Sequence, residues 1–308
     1  MRKKKVSELD IGDIVYDIND GITQSILGDF LQCRRRCLLN LCGYKPIITK
    51  KTIGFGLIMH RLLELLYTDP TLTTQELRQF ILSDRNFSDC NIEELEVSLS
   101  LALICLEHYK AIYRNELERR IVKAELEFDV DFKGFRLRGK RDGLVKIGKS
   151  IWLLETKTKS VYDERLKEQL IHNFQVNYYL LATALESKKV KGCLYNIILR
   201  PQQRQRKNER WDEYLNRVKG DIASNKSKYF IRFELAIPDQ SLKEFTYYLT
   251  TILNEFKGWL AGKSPTYHNP FACQTGYYYC NYFDACLSDS LSMLVKSRPM
   301  SELSNGEE

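Results

Sequence analysis

Two acidic residues and a lysine in the middle of the chain have types and spacing that suit metal-assisted hydrolysis. Asp142 lies in one predicted strand, and Glu155 and Lys157 lie in the next. Side chains two residues apart on a strand point to the same face, so Glu155 and Lys157 project together. Two carboxylates beside a lysine can bind a hard divalent cation and position a water molecule for attack on a phosphate group. Taken alone, the triplet 155–157 is also typical of the solvated face of a sheet.

A predicted β-hairpin brings these residues together. Apolar and polar side chains alternate along residues 134–158, and the segment 148–150 interrupts the alternation with Gly-Lys-Ser. A turn at this point makes two antiparallel strands run side by side. Asp142 is therefore expected to lie next to Glu155, across the two strands.

The elements around the hairpin predict an α/β fold. The predicted elements, in chain order, are helices at 53–67, 74–83 and 93–119, strands at 121–132, 134–147 and 150–158, a helix at 163–187, a strand at 190–201, a helix at 208–224, a strand at 228–236 and a helix at 239–261. The helix at 163–187 connects two strands. Such a crossover implies that the strand at 190–201 lies parallel to a neighbour in the sheet.

Length and composition suit one large domain of the ordinary globular class. The chain has 308 residues, of which 44% are hydrophobic and 28% are charged. No apolar run reaches the length of a membrane span, and the basic N-terminus has no apolar segment behind it, so we expect neither a membrane segment nor a signal peptide. We expect the protein in the cytoplasm, a reducing compartment where its nine cysteines stay out of disulfides.

A modest positive charge permits a polyanion as partner. The net charge is +7, and arginines cluster in two runs, Arg34, Arg35 and Arg36 in the first and Arg204 and Arg206 in the second. Either run alone is typical of a solvated surface. Beside a site that cuts phosphodiester bonds, the same arginines would contact the backbone of a nucleic acid. We therefore regard these five arginines as candidate DNA-binding residues.

The chain divides into five predicted segments. These are a basic lead at 1–20, a core at 21–200, an insertion of helices and one strand at 201–262, a cysteine-rich segment at 263–287 and a flexible tail at 288–308.

Five motifs in order resemble the PD-(D/E)xK nuclease superfamily, and more narrowly its RecB-type branch, which includes the CRISPR-adaptation nucleases and the AddB subunit of a helicase–nuclease. They are ITQSILGDFLQCRRR at 22–36, Gly56-x-x-x-His60, Gly139-Lys140-Arg141-Asp142, Glu155-Thr156-Lys157 and Gln175-x-x-x-Tyr179. Each motif alone is common, and their agreement in order carries the resemblance. The resemblance implies a restriction-endonuclease-like core, in which helices flank a mixed central sheet in αβββαβ order.

The resemblance also implies a metal site. His60, Asp142 and Glu155 would be its ligands, and the carbonyl oxygen of Thr156 is a further candidate. Mg²⁺ prefers oxygen ligands, whereas an imidazole suits a softer ion, so the expected cofactor is Mn²⁺ or Mg²⁺. Without the resemblance, a histidine on an apolar helix such as His60 is an ordinary core residue.

Three further residues would serve the reaction in a protein of this family. Lys157 would orient or activate the attacking water molecule and offset developing negative charge. Gln175 and Tyr179 lie one helical turn apart and share a face, where they would support the site and contact DNA.

Three cysteines near the C-terminus resemble the iron–sulfur ligands of this branch. Cys273, Cys280 and Cys286 are closely spaced, and a 4Fe-4S cluster needs one further thiolate. The resemblance implies that Cys33 supplies it and that the cysteine-rich segment packs on the N-terminal helix, with Cys37 as a competing ligand. Zinc on the same thiolates and buried free thiols are the alternatives.

The residues between these cysteines depart from the family pattern at one position. Asn281 stands where proline is typical. The neighbouring Tyr277, Tyr278 and Tyr279 are predicted to pack around the cluster, and stacking on an exposed DNA strand is the alternative.

The function that the resemblance implies is a metal-dependent DNA exonuclease acting on single strands or duplex ends. It would serve recombination, repair or the processing of mobile-element DNA. The chain has no GxxxxGK[ST] loop, so a helicase or recombinase partner would be a separate chain. A non-catalytic iron–sulfur DNA-binding subunit of a helicase–nuclease is one alternative, and a protein with a regulatory cluster and incidental acids is another. The intact set of His60, Asp142, Glu155 and Lys157 favours catalysis.

Overall fold

A mixed five-stranded sheet flanked by helices organises the protein. The computed structural model describes the backbone at residues 4–47, 54–87, 90–119, 121–186, 189–276, 278–297 and 299, with the side chains in these ranges except those at 86, 115–119, 121–125 and 278. No helix in the described part of the chain is long and apolar enough to cross a membrane.

Helices and strands alternate in the middle of the chain. The helices are α1 (Gln24–Gln32), α2 (Arg34–Leu41), α3 (Phe55–Thr68), α4 (Thr74–Ser83), α5 (Ile92–Arg119), α6 (Leu166–Gln169), α7 (Phe174–Leu185), α8 (Trp211–Ser224), α9 (Lys226–Tyr229), α10 (Asp239–Leu260) and α11 (Phe283–Leu287). The strands are β1 (Tyr44–Pro46), β2 (Ile121–Phe132), β3 (Phe135–Ile147), β4 (Ser150–Lys159), β5 (Val190–Leu199), β6 (Phe230–Ala236), β7 (Gln274–Thr275), β8 (Tyr278–Tyr279) and β9 (Leu294–Lys296).

The order of strands in the main sheet is β2-β3-β4-β5-β6. Strands β3 and β4 are antiparallel and turn where predicted, with Ile147 opposite Ser150. Strands β4 and β5 are parallel, which confirms the predicted crossover, and β6 runs antiparallel to β5. Strand β5 is buried from Gly192 to Leu199, the nearly continuous apolar run expected of a strand covered on both faces.

The chain forms two compact units. Unit 1 comprises Met1–Thr49, Glu127–Lys140 and Asp239–Glu308, and unit 2 comprises Lys50–Leu126 and Arg141–Pro238. The predicted metal ligands and catalytic residues all lie in unit 2, and the four predicted cluster ligands all lie in unit 1. The predicted insertion at 201–262 is divided between them, because α10 belongs to unit 1.

The single helix predicted at 163–187 is wrong. A short helix α6 and a 3₁₀ turn are followed by an extended residue, Asn173, and then by α7. The side chain of Asn173 accepts a hydrogen bond from the N–H of Val176, at 3.0 Å. Asparagine is a favoured residue at this capping position, so a new helix begins here instead of continuing the earlier one.

Ordered structure continues beyond Ser288, where the sequence predicts a flexible tail. Strand β9 pairs antiparallel with β1, and Leu294 packs into the core of unit 1. The Nζ of Lys296 donates a hydrogen bond to the carbonyl of Cys42, at 2.8 Å. The last part of the predicted tail, residues 301–308, lies outside the described residues.

Candidate active site

Asp142 and the backbone of Thr156 meet where β3 and β4 separate. The paired register of the two strands runs from Ile147 opposite Ser150 to Gly143 opposite Leu154. Beyond it, Oδ2 of Asp142 accepts a hydrogen bond from the N–H of Thr156 at 2.6 Å. The carboxylate thus satisfies a backbone donor in the middle of β4, and the predicted proximity of the two strands at this level is observed.

Glu155 has a strongly perturbed environment. It is 1% exposed, and Oε2 of its carboxylate accepts no hydrogen bond from the described residues. The ammonium of Lys157 lies 2.5 Å from Oε1 and compensates part of the charge. Burial, assisted by the negative charge of Asp142, raises the pKa of Glu155 to about 7.

A pH-dependent cost of folding follows from this pKa. Because the folded pKa lies above the ordinary value of 4.5, folding favours the protonated acid. The contribution of protonated Glu155 to the free energy of unfolding is complete below pH 4.5 and is lost as the pH rises through 7. A rise from 4.5 to about 7 corresponds to about 3 kcal/mol.

We therefore expect Glu155→Gln to stabilise the metal-free protein at high pH. Relative to wild type, its free energy of unfolding should rise by about 3 kcal/mol between pH 4 and pH 8, because only the wild-type acid ionises. Denaturant unfolding in EDTA at both pH values measures the difference. If the difference in free energy of unfolding between variant and wild type were the same at both pH values, the pKa of Glu155 would not be raised in the folded protein.

Lys157 belongs to a chain of polar contacts that reaches α7. Its Nζ donates to Oε1 of Gln175 at 2.8 Å, and Nε2 of Gln175 donates to the hydroxyl of Tyr179 at 3.3 Å. The two bonds fix the orientation of the amide. The predicted grouping of these three residues is observed in the structure.

Helix α3 brings His60 to the same site. Nδ1 of His60 lies 3.8 Å from Oδ1 of Asp142. One turn earlier, a Cβ atom at Gly56 would lie only 2.6 Å from Oγ1 of Thr158 on β4. A glycine at this position therefore allows α3 to approach β4 closely, which explains why glycine precedes the histidine by four residues.

A buried polar network supports Thr156 through its side chain. Nδ2 of Asn196 donates to Oγ1 of Thr156 at 3.3 Å and to the hydroxyl of Tyr109 at 3.2 Å. The same hydroxyl accepts from Arg232 at 2.6 Å and lies 2.8 Å from the hydroxyl of Tyr67. Asn196 is fully buried. Thr156 is thus held through both its N–H and its hydroxyl.

Arg141, which precedes Asp142, anchors α7. Its side chain is fully buried, donates to Oγ1 of Thr183 and forms an ion pair with Glu186 at 2.6 Å. The hydroxyl of Thr183 in turn donates to the carbonyl of Tyr179 at 2.6 Å. The motif residue Arg141 therefore fixes the helix that carries Gln175 and Tyr179.

Sequence reasoning missed the support for Thr156. Neither Asn196 nor Arg232 belongs to a motif of the family resemblance. One signal was nevertheless present, because Asn196 is a polar residue within an apolar run that reads as a buried strand. A buried amide needs hydrogen-bond partners, and it marks a place where such a network is to be expected.

The predicted cluster cysteines lie together in unit 1. The helix expected over 22–36 breaks at Cys33, whose extended backbone separates α1 from α2. The N–H of Asn269 donates to Sγ of Cys33 at 3.3 Å. Burial, and next the charges of Cys33 and Cys280, raise the pKa of Cys273, so these thiols lie within electrostatic reach of one another.

The environments of Cys286 and Cys37 differ. Burial raises the pKa of Cys286 to about 11, with contributions from Cys280, Cys33 and Cys273, while Arg35 lowers it. Cys37 is fully buried within α2, and its Sγ lies 3.8 Å from the carbonyl oxygen of Ile26.

The cysteine-rich segment packs on the N-terminal helices, as predicted. Tyr282 and Ala285 share a buried cluster with Leu39, and the hydroxyl of Tyr282 donates to the carbonyl of Tyr44 at 2.9 Å. Tyr279 is 56% exposed. Tyr277 and the side chain of Tyr278 lie outside the described residues.

Two of the three arginines at 34–36 have partners within unit 1. Arg34 lies over the rings of Phe30 and Tyr267, at 4.9 and 5.1 Å. Arg36 forms an ion pair with Asp29 at 2.6 Å. In unit 2, Arg204 and Arg206 are exposed.

Within the described ranges, no group of three or more His, Cys, Asp or Glu side chains is placed to hold a metal. The group of His60, Asp142 and Glu155 and the group of four cysteines nevertheless contain donor types that bind metal ions.

The mixed sheet, its crossover helix and the hairpin with two acids and a lysine define a restriction-endonuclease-like α/β core. The model of the PD-(D/E)XK nuclease superfamily matches residues 22–287. The chain belongs to this superfamily.

Two solved structures resemble the chain. A candidate exonuclease from Eubacterium rectale aligns over 100% of both chains, with 12% identity and a TM-score of 0.48. The protein SSO0001 aligns over 76% of this chain and 96% of its own, with 13% identity and a TM-score of 0.31. Similarities of this strength support no functional inference. No curated protein matches the chain.

Proposed function

We propose that this protein is a metal-dependent nuclease that hydrolyses phosphodiester bonds in DNA. The observation that carries the proposal is the carboxyl group of Glu155, buried beside Asp142, with Lys157 at Oε1 and with Oε2 accepting no hydrogen bond from the described residues. One lysine does not compensate two adjacent carboxylates, and an incompletely compensated buried carboxylate is unfavourable. A divalent ion bound by these acids would provide that compensation.

The proposed metal ligands are His60, Asp142 and Glu155. The donor set fits a divalent ion, because two carboxylates provide hard oxygens and the imidazole extends the choice to softer metals. The carbonyl oxygen of Thr156 is a further proposed ligand, since both other polar groups of this residue already have partners. We expect Mn²⁺ to be accepted at least as well as Mg²⁺.

In the proposed mechanism, Lys157 and the side chains that contact it act together with the bound metal. A bound metal lowers the pKa of a water molecule and offsets charge on the phosphate. Lys157 orients the attacking water and stabilises the negative charge that develops on the phosphate oxygens. Gln175, whose amide is held by Tyr179, limits the positions that the ammonium can adopt.

The proposed DNA contacts are made by arginines. The exposed Arg204 and Arg206 are the strongest candidates. Arg34, Arg35 and Arg36 add positive charge to unit 1, although Arg34 and Arg36 are already engaged within it. Phosphate contacts of this kind position a nucleic acid without reading its sequence.

We further propose that Cys33, Cys273, Cys280 and Cys286 bind a 4Fe-4S cluster. The charges of Cys33 and Cys280 help to raise the pKa of Cys273 and of Cys286, so the four thiols lie close enough to suit a group that needs four thiolates, and the neighbouring Arg35 favours the thiolate form. The cluster would be a structural cross-link within unit 1. Zinc is the second candidate for the same ligands.

The finer role that we propose is an exonuclease of the RecB type, acting in the cytoplasm on single strands or duplex ends. Its setting would be recombination, repair or mobile-element DNA processing, with any helicase or recombinase supplied by another chain. A non-catalytic DNA-binding subunit is the second candidate function. It is favoured by one observation, that the described side chains include no group arranged to hold a metal.

Cleavage of end-labelled single- and double-stranded DNA with Mn²⁺, Mg²⁺ or EDTA tests the proposal. We expect cutting with either metal and none in EDTA, and the product ladder will show whether degradation starts at an end. Cleavage that persists in EDTA would exclude the metal mechanism. DNA binding without any cutting would favour the non-catalytic subunit.

The variant Asp142→Asn tests the ligand assignment separately. It should weaken Mn²⁺ binding about 10- to 100-fold in isothermal titration calorimetry, because a charged ligand becomes neutral. The matched control is Asp163→Asn, an exposed turn residue of the same unit, which should bind Mn²⁺ like wild type. Equal affinity for both variants would remove Asp142 from the ligand set.

A further inference from the structure

The loop between β5 and α8 begins at the end of the sheet that carries the candidate active site. The N–H of Arg200 donates to the carbonyl of Lys159 on β4, at 2.8 Å. Lys159 follows Lys157 by two residues, a separation of about 7 Å along a strand. A polymer held by this loop would therefore lie near the lysine that we propose to be catalytic.

Contacts with α8 hold the loop in a fixed conformation. The hydroxyl of Tyr214 donates to the carbonyl of Gln203 at 2.9 Å, and Arg217 donates to the carbonyl of Arg204 at 3.0 Å. Arg217 also pairs with Glu209, at 2.7 Å, and this pairing lowers the pKa of Glu209 to about 2. The loop is thus bonded to α8 through the backbone at Gln203 and Arg204 and through the side chain of Glu209.

Side chains on this constrained backbone remain available to a partner. Arg204, Arg206 and Lys207 are exposed, and none of them forms an ion pair with the described residues. The next cation, Arg210, is instead paired with Asp212. A fixed backbone with three exposed cations is suited to binding successive phosphates.

An aromatic ring follows these cations in the sequence, four residues after Lys207. Trp211, the first residue of α8, is 37% exposed, and its ring lies 5.2 Å from the buried ring of Tyr214. The guanidinium of Arg217 lies over Tyr214, at 5.5 Å. The indole therefore rests on a rigid base while part of it remains open to solvent.

We infer that Arg204, Arg206, Lys207 and Trp211 form a platform for single-stranded DNA. Trp211 stacks on an unpaired base, and the three cations bind the phosphates on either side of it. A duplex keeps its base faces inside the helix, so the indole selects for a single strand. The inference rests on the proposed nuclease function and adds to it that the strand near Lys157 is unpaired.

Tryptophan fluorescence tests the platform directly. The chain has three tryptophans, and the other two, Trp152 and Trp259, are 3% and 0% exposed. Quenching by an oligothymidylate in EDTA, where metal-dependent cutting is prevented, therefore reports on Trp211. We expect strong quenching of wild type by the single strand and little quenching by a duplex of the same length.

Affinity measurements complete the test. Trp211→Ala should bind the oligothymidylate about tenfold more weakly than wild type, and Trp211→Phe should fall between them. Phe80→Ala, which truncates a half-exposed ring on α4, is the matched control and should bind like wild type. Replacing the three cations with glutamine should reduce the slope of log affinity against log salt concentration by about 2, because each of the three lost contacts with a single strand contributes about 0.7.

Two results would overturn the inference while leaving the nuclease intact. One is equal affinity of wild type and Trp211→Ala for the single strand in a protein that cuts DNA with Mn²⁺. The other is that Trp211→Ala loses affinity for single strand and duplex equally, which would make the surface a general basic patch. A wild-type protein that neither binds nor cuts DNA would instead refute the proposed function itself.

Discussion

Lys157→Met is expected to reduce the rate of DNA cleavage about a thousandfold. The variant keeps the length of the side chain but removes the ammonium that pairs with Glu155 at 2.5 Å and donates to Gln175 at 2.8 Å. Loss of one preorganised electrostatic contact to a transition state costs about 100- to 1000-fold in rate, and a proton-transfer or water-orienting role adds to it. Single-turnover cleavage at saturating Mn²⁺ measures the effect.

The neighbouring lysine supplies the control for this variant. Lys159→Met changes the same residue type on the same strand and the same face, two positions further on. It should retain nearly the wild-type rate. If both variants lost activity equally, positive charge along β4 would matter and a specific role for Lys157 would be excluded. Equal cutting by Lys157→Met and wild type would mean that the activity comes from another site or from a contaminant.

Cys33→Ala is expected to abolish iron binding and to destabilise unit 1. Cys33 and Cys273 are far apart in sequence, and a cross-link that closes a long loop contributes about 3–5 kcal/mol. Its loss should lower the thermal midpoint by about 10 °C in a unit of this size. Iron content and visible absorbance of anaerobically purified protein measure the first consequence, and thermal unfolding measures the second.

Cys37→Ala separates a cluster ligand from an ordinary buried thiol. Cys37 is fully buried four residues after Cys33, so its replacement should cost about 1 kcal/mol of packing while leaving the iron content unchanged. The opposite result, iron lost from Cys37→Ala and kept by Cys33→Ala, would exchange the two assignments. Zinc in the purified wild type would support the same four ligands with a different metal. A wild type that contains neither iron nor zinc would show that the cysteines are free thiols.

The order and type of the central elements are predictable from sequence. Strands β3 and β4 show the alternation of a hairpin, and β5 is a long apolar run after a crossover, so local pattern and sheet topology agree. The breaks at Cys33 and Asn173 are not predictable in this way. Apolar spacing continues across both positions, and only the backbone conformation of a single residue shows where one helix ends and the next begins.

The candidate site is predictable only where its residues belong to short motifs. Asp142, Glu155 and Lys157 lie within one hairpin, so their proximity follows from its register. The network beside Thr156 joins residues far apart in the chain. Asn196 on β5 bonds Thr156, and Tyr109 on α5 bonds Asn196. Local sequence does not predict contacts between residues so far apart in the chain. Only the polar character of Asn196 within an apolar strand indicates that a hydrogen-bond partner is needed.

The edge position of β6 gives Arg232 a second consequence. Strand β6 is last in the order of the main sheet, and an open edge can recruit a strand from another molecule. Arg232 is committed inward, bonded to Tyr109 and stacked on Tyr113 at 3.6 Å. An inward-pointing charge on an edge strand disfavours pairing with a foreign strand. Arg232, which contacts Asn196 and Tyr109 in the network beside Thr156, is therefore also expected to disfavour edge-to-edge association.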